Sequence, residues 1–260
     1  MTQPHEAGSY RRFGGDAATI RLAAVALPLG VVLPLVATAI HPHREDGMDN
    51  PAVFTEYADS ASWVAVHFAQ WGAALLMFVG LLGVYHALKG GSGWAQGIAR
   101  FGWFATVQAA AAITALQAVD GIALKWATEA WVDAQGEEKI AAFAAAETVR
   151  WTELGFQSYS NILLGLALIL YGAATVAGSR YPRWLGALAA GSGAGWILHG
   201  AMVPYVGFFD SIPRLVAMAL LVVWALTMSV LMWRRSSRQL PARQPQPRLD
   251  ESPTTRTVSA

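Results

Sequence analysis

The chain has 260 residues, of which 55% are hydrophobic and only 13% are Asp, Glu, Lys or Arg, about half the charged share of a typical soluble domain. It has no cysteine, which excludes disulfides, thiolate metal sites, a cysteine nucleophile and cysteine-held iron–sulfur clusters. The formal net charge is +1 with no basic patch, so nucleic acid is not an expected partner. Lipid is the expected solvent, and the expected fold is all-α, an integral membrane bundle of six transmembrane helices.

Residues 1–16 are polar and carry Arg11-Arg12 and Gly14-Gly15; they read as a disordered cytoplasmic tail. The membrane domain spans residues 17–233. Its first segment, Ala17 to Ile40, holds Pro28 and Pro34, at which a kink is expected. Ala37-Thr38-Ala39 resembles a signal-peptidase site, but the apolar run exceeds a signal h-region, so it reads as a retained anchor. An acidic loop follows over residues 41–62, with Asn50-Pro51 placed to cap and start a short helix through Tyr57. His41 and His43 with Glu45, Asp46 and Asp49 lack a specific metal-ligand spacing, and a solvated acidic loop is the expected reading.

The segment Trp63 to Leu88 is the organising element. Its 26 residues contain no Asp, Glu, Lys or Arg, enough to cross a hydrocarbon core of ~30 Å at ~1.5 Å per residue. It carries His67 one turn from its start, a polar ring that needs a partner from another helix. A flexible turn at residues 89–93 leads into a return helix over residues 97–125, which contains Gln108, Gln117 and Asp120. Residues 126–150 are charged but helix-prone and read as two amphipathic, interfacial extensions that break at Gln135-Gly136. The fourth span, Trp151 to Ala177, places Glu153, Gln157 and Asn161 on one face at four-residue intervals. The fifth, Trp184 to Val203, is glycine-rich, with Gly191 and Gly195 spaced for close helix packing. The sixth runs from Ile212 to Trp233. Residues 234–260, rich in Arg, Pro, Gln, Ser and Thr, read as a disordered tail.

Alternate loops divide the charge unevenly. One side holds Arg44, Lys125, Lys139, Arg150 and Arg214; the side with both termini holds the other 13 of the 18 Lys and Arg. By the positive-inside rule both termini are cytoplasmic, in the cell membrane. At ~1.5 Å per residue, His67, Asp120, Glu153 and His199 all fall within roughly 3–8 Å of the outer interface, on four different helices, and His41 can join them. Ionisable groups in spans face a bundle interior or a cavity. An outward-facing polar pocket is therefore expected, with Gln70, Trp71, Trp103, Gln117, Gln157, Asn161 and Trp196 turned toward it. For Glu153 the plainer reading is a carboxylate in the first turn of a helix. Structural hydrogen bonding is as good a reading as a functional one for Asp120 and His67. Trp63, Trp126, Trp131, Trp151, Trp184 and Trp233 stand at span ends and read as an aromatic belt.

Three short motifs, His41-Pro42 after the first span, Trp63 to His67 opening the second and Pro182 to Gly186 opening the fifth, carry a resemblance over residues 17–233. The chain resembles a group of uncharacterised multi-pass bacterial integral membrane proteins defined as a domain of unknown function. The resemblance implies a helical membrane fold and no catalytic residues.

Four functions stay open. One is a non-enzymatic pocket for a small ligand or lipid, and a second is an intramembrane enzyme on a lipid or isoprenoid, a cyclase for instance. In the enzyme reading Asp120 is the acid or base, His67 and Glu153 stand beside it, and Trp71, Trp103 and Trp196 line an apolar pocket. A third is a His-ligated metal or haem using His67 and His199, and a fourth a proton-coupled transporter, without a repeat to support it. The cofactor is unknown, and a homo-oligomer is left open.

Overall fold

A computed structural model of the chain describes residues 6–41, 45–89, 91, 93–209 and 211–238, with side chains described from residue 17 onward. His43 and the expected C-terminal tail from residue 239 lie outside the described residues. The elements are α1 (Glu6–Ala39), α2 (Asn50–Asp59), α3 (Trp63–Leu88), α4 (Trp94–Ala118), a π-helical turn (Val119–Leu124), α5 (Lys125–Asp133), α6 (Gly136–Ala177), α7 (Arg183–Val206) and α8 (Ile212–Arg238). No strand occurs among the described residues.

Six long helices close a ring: α1 packs on α3, α3 on α4, α4 on α6, α6 on α7, α7 on α8, and α8 returns to α1. The core inside it is built from all six, with Leu27, Leu81, Ala109, Leu168, Leu185 and Trp224 buried. Large apolar side chains such as Leu22, Phe68, Phe101, Leu198 and Leu215 stand exposed on the outside. An apolar exterior of this kind needs a hydrocarbon solvent.

Five of these helices are long and apolar enough to cross a membrane, not the six expected. The exception is α7, where glycines, a serine and His199 dilute the hydropathy of a 24-residue helix. Two further expectations need correction at the ends of the ring. The first helix begins at Glu6, inside the segment read as a disordered tail. The last helix continues past Trp233 to Arg238.

Gly191 and Gly195 both face α8, but only Gly195 comes close to its backbone, at the Pro213 carbonyl. A Cβ on Gly191 would meet only Leu220, and one on Gly195 would meet Ala217 of α8. The tight seam lies between α6 and α7, where a Cβ on Gly165 would lie 2.5 Å from the Gly193 carbonyl oxygen and one on Gly172 2.5 Å from that of Gly186. Small residues let the two backbones touch, which replaces the missing hydrophobic drive between helices in lipid.

The expected extensions are present: α5 continues α4 through the π-turn, and α6 starts well before Trp151. The break falls at Gln135-Gly136, where Gly136 takes φ +57°, a left-handed value suited to glycine. The two extensions pack on each other and with α2 form a cap over one end of the ring. Its apolar centre is Val53, Phe54, Tyr57, Trp63, Leu124 and Ala146. The cap of α2 is Asp49 rather than Asn50, its carboxylate accepting from the Ala52 amide at 3.3 Å. Asn50 instead donates to Glu147 Oε1 at 2.8 Å and pins α2 to α6. At the other end of α2, Lys125 Nζ donates to the carbonyls of Tyr57 (2.9 Å) and Ala58 (2.6 Å), a cation on the negative pole of the helix.

Candidate functional site

The π-turn sits where α4 passes His67. An inserted residue breaks the regular hydrogen-bond ladder and re-aims the side chains after it, a device common at functional sites. Here the Asp120 carbonyl oxygen accepts from Trp63 Nε1 at 3.0 Å, and the Asp120 carboxylate reaches His67 Nε2 at 3.0 Å. Gly121 permits the approach, because a Cβ there would lie 2.5 Å from the Cβ of His67.

The tautomer of His67 follows from its partners. Nδ1 lies 2.7 Å from the Trp63 carbonyl oxygen, which can only accept, so Nδ1 carries a proton. Nε2 faces a carboxylate oxygen, and a hydrogen bond there needs one more proton shared between imidazole and carboxyl. His41 Nε2 stands 3.4 Å from His67 Nε2, a second base beside the same nitrogen. His67 is 2% exposed and the Asp120 side chain 16%, so this proton is held in a nearly dry place.

Trp63 is the centre of the cluster. It is fully buried and stacks on Tyr57 at 3.9 Å between ring centroids, on His67 at 4.4 Å and on His41 at 4.9 Å. Beyond Tyr57 lies a second pair, Arg150 with Glu153, joined at 2.8 Å with both side chains at most 5% exposed. The Arg150 guanidinium also donates to the Gly47 carbonyl at 3.2 Å and lies 3.9 Å over the Phe208 ring. The Tyr57 hydroxyl is hydrogen-bonded to Arg150. Burial pushes its pKa well above the usual tyrosine value, Arg150 opposes this both through its charge and through a hydrogen bond, and the carboxylates of Glu153 and Asp120 add to the rise.

Between α3 and α4 a half-open cavity of about 180 Å³ is lined by Val64, His67, Phe68, Trp71, Thr114, Gln117, Ala118, Gly121 and Ile122. Phe68 and Ile122 are 56% and 42% exposed on the outer surface, so the mouth opens sideways. Trp71 Nε1 donates to Thr114 Oγ1 at 3.3 Å across the cavity wall.

The expected pocket residues are therefore divided. His67 and Asp120 meet directly, Glu153 pairs instead with Arg150, and Trp71 and Gln117 line the cavity with His67. His199 is elsewhere: Ser211 bonds its Nδ1 at 3.0 Å, and Phe209 and Trp196 pack against its ring. Trp103 stands 42% exposed on the outside of α4 rather than in a pocket, because residue 103 is turned about 100° around the helix from Gly102, which meets Tyr171 of α6. Gln70, Gln157 and Asn161 do not line the cavity. Asn161 is buried with its Nδ2 unpartnered, on the α6 face that meets Gly200. Among the described residues no group of three or more His, Asp or Glu is arranged to hold a metal ion.

Sequence reasoning missed Tyr57, Arg150 and the central place of Trp63. The Trp63 and Trp131 indoles were expected in an interfacial belt, yet Trp63 is fully buried and Trp131 packs on Phe54 and Phe143 in the cap. Only the three-residue spacing of Arg150 and Glu153, which places them on one helix face, was a usable signal for that pair. No protein-family model matches the chain, and no curated protein or solved structure is significantly similar to it.

Proposed function

We propose that the chain is a six-span protein of the cell membrane, with both termini cytoplasmic, that binds the apolar end of a lipid or isoprenoid ligand in the α3–α4 cavity beside the His67–Asp120 pair. The observation that carries this reading is an apolar cavity that opens sideways through exposed Phe68 and Ile122 and ends on a buried His–Asp pair. Water would not fill such a space, and a chain from the surrounding lipid would. For six spans the support is the place of α7 in the closed ring, between α6 and α8, where protein covers Gly186, Gly193 and Gly200. The charge asymmetry of the loops supports the orientation. With no native cysteine, single-cysteine labelling from either side of the membrane tests the topology, and an external C-terminus would refute it.

The binding reading is tested by native mass spectrometry of protein released from lipid nanodiscs. The wild-type chain retains one apolar ligand, and Val64→Trp, which fills the cavity, does not. Equal retention by both would sink the reading. A second reading, an intramembrane enzyme on the same ligand, rests on the π-turn and the shared proton at 3.0 Å. There Asp120 is the acid or base, and an Asp120→Asn chain that keeps full turnover of an isoprenoid substrate removes it.

A further inference from the structure

Gln108 stands exposed on the outside of α4, and its side chain forms no hydrogen bond among the described residues. It follows Trp94, where α4 begins, by 14 residues and precedes Asp120 by 12, so at ~1.5 Å per residue it lies about 21 and 18 Å along the axis from those two points. A glutamine side chain cannot snorkel over such a distance, and hydrocarbon offers its amide neither donor nor acceptor. The helix that carries it is also the least covered by its own chain of the five apolar ones.

The neighbours of Gln108 on this face form a seam. Phe101, Phe104, Gln108, Ala111 and Ala115 follow one another at alternating steps of three and four residues, the spacing by which one helix packs along another at about 20°. The first four are exposed and Ala115 is half-buried. Gly102, through which α4 meets Tyr171 of α6, lies off this seam. On one side of Gln108 the alanines permit close approach of a second backbone; on the other the two phenylalanines supply apolar contact area.

We infer that this face is a dimer interface, with α4 packed in parallel against α4 of a second copy and the two Gln108 amides hydrogen-bonded to each other. Copies in one membrane share an orientation, so the two-fold axis that relates them runs along the membrane normal and brings the two Gln108 side chains together at one depth. An amide carries both donor and acceptor, so it satisfies an identical amide. A lipid chain would cover the alanines and phenylalanines equally well but would leave Gln108 unpaired. A different protein would need its own amide at this depth, which the second copy brings by symmetry. The inference needs only the lipid-facing bundle and is independent of the ligand in the α3–α4 cavity.

The test uses the full chain, which has no native cysteine, in liposomes. Under mild oxidation Ala111→Cys should form a covalent dimer, whereas Val223→Cys, exposed on α8, should not. Energy transfer between separately labelled chains, followed as lipid dilutes them, gives the dimerisation constant. Gln108→Leu, whose side chain enters no internal contact, should weaken it at least about fivefold, the equivalent of one interhelical hydrogen bond of ~1 kcal/mol. Cross-linking of Ala111→Cys no greater than that of Val223→Cys overturns the interface. Gln108→Leu chains that associate as tightly as wild type overturn the amide pair. A wild-type chain that stays monomeric at high protein-to-lipid ratio overturns both, whatever the variants do.

Discussion

Glu153→Gln gives the sharpest test of the cap over the bundle. Arg150 is 3% exposed and Glu153 4%, and their 2.8 Å contact is the main compensation for two charges taken out of water. After the substitution the guanidinium keeps only the Gly47 carbonyl, the Tyr57 hydroxyl and the faces of Tyr57 and Phe208. Removing one partner of a buried pair costs about 3–5 kcal/mol, because the other charge is left uncompensated. At about 2–4 °C per kcal/mol for a chain of this size, the apparent melting temperature falls by roughly 6–20 °C. Arg150→Met combined with Glu153→Gln removes both charges and should recover most of that loss. Intrinsic tryptophan fluorescence during thermal unfolding in detergent reads all three variants. If Glu153→Gln lies within about 1 kcal/mol of wild type, or if the double variant is no better than the single, the pair is not dry and the account of the cap is wrong.

Three further outcomes are expected. Gly121→Val places a side chain against His67, so it should cost about 1–3 kcal/mol by overpacking and raise the reactivity of His67 toward an imidazole-modifying reagent; unchanged protection would mean that α3 and the π-turn are not in contact. Tyr57, whose pKa is raised by burial, favours the protonated phenol in the folded state. Its contribution is therefore complete below pH ~10 and lost as pH rises beyond it, and Tyr57→Phe should flatten the alkaline fall in stability measured from pH 9 to 12. Gly165→Leu forces α6 from α7 at a backbone contact. It should destabilise the bundle by at least about 1–3 kcal/mol, whereas Gly191→Leu, facing only Leu220, should be mild by the same unfolding assay.

The sequence by itself determined the solvent, the helices and several of their limits. A run of 26 residues without Asp, Glu, Lys or Arg, Trp63 to Leu88, becomes one helix over the same residues, because in lipid each backbone amide must be satisfied within its own segment. The break at Gln135-Gly136 was legible for a similarly local reason, the left-handed backbone that glycine tolerates. The need of His67 for a partner was legible too, since a polar ring in an apolar segment is costly alone. Which group meets it was decided by tertiary packing: the π-turn advances Asp120 onto His67, and Gly121 lets the helices close. Helical spacing assumes 3.6 residues per turn, and a π-turn breaks that assumption without a sequence mark strong enough to read. Trp63 looked like a belt residue because its position in the chain is at a helix end. Only α2, folding back over that end under the hold of Lys125 and Asn50, turns it into the buried centre of the site.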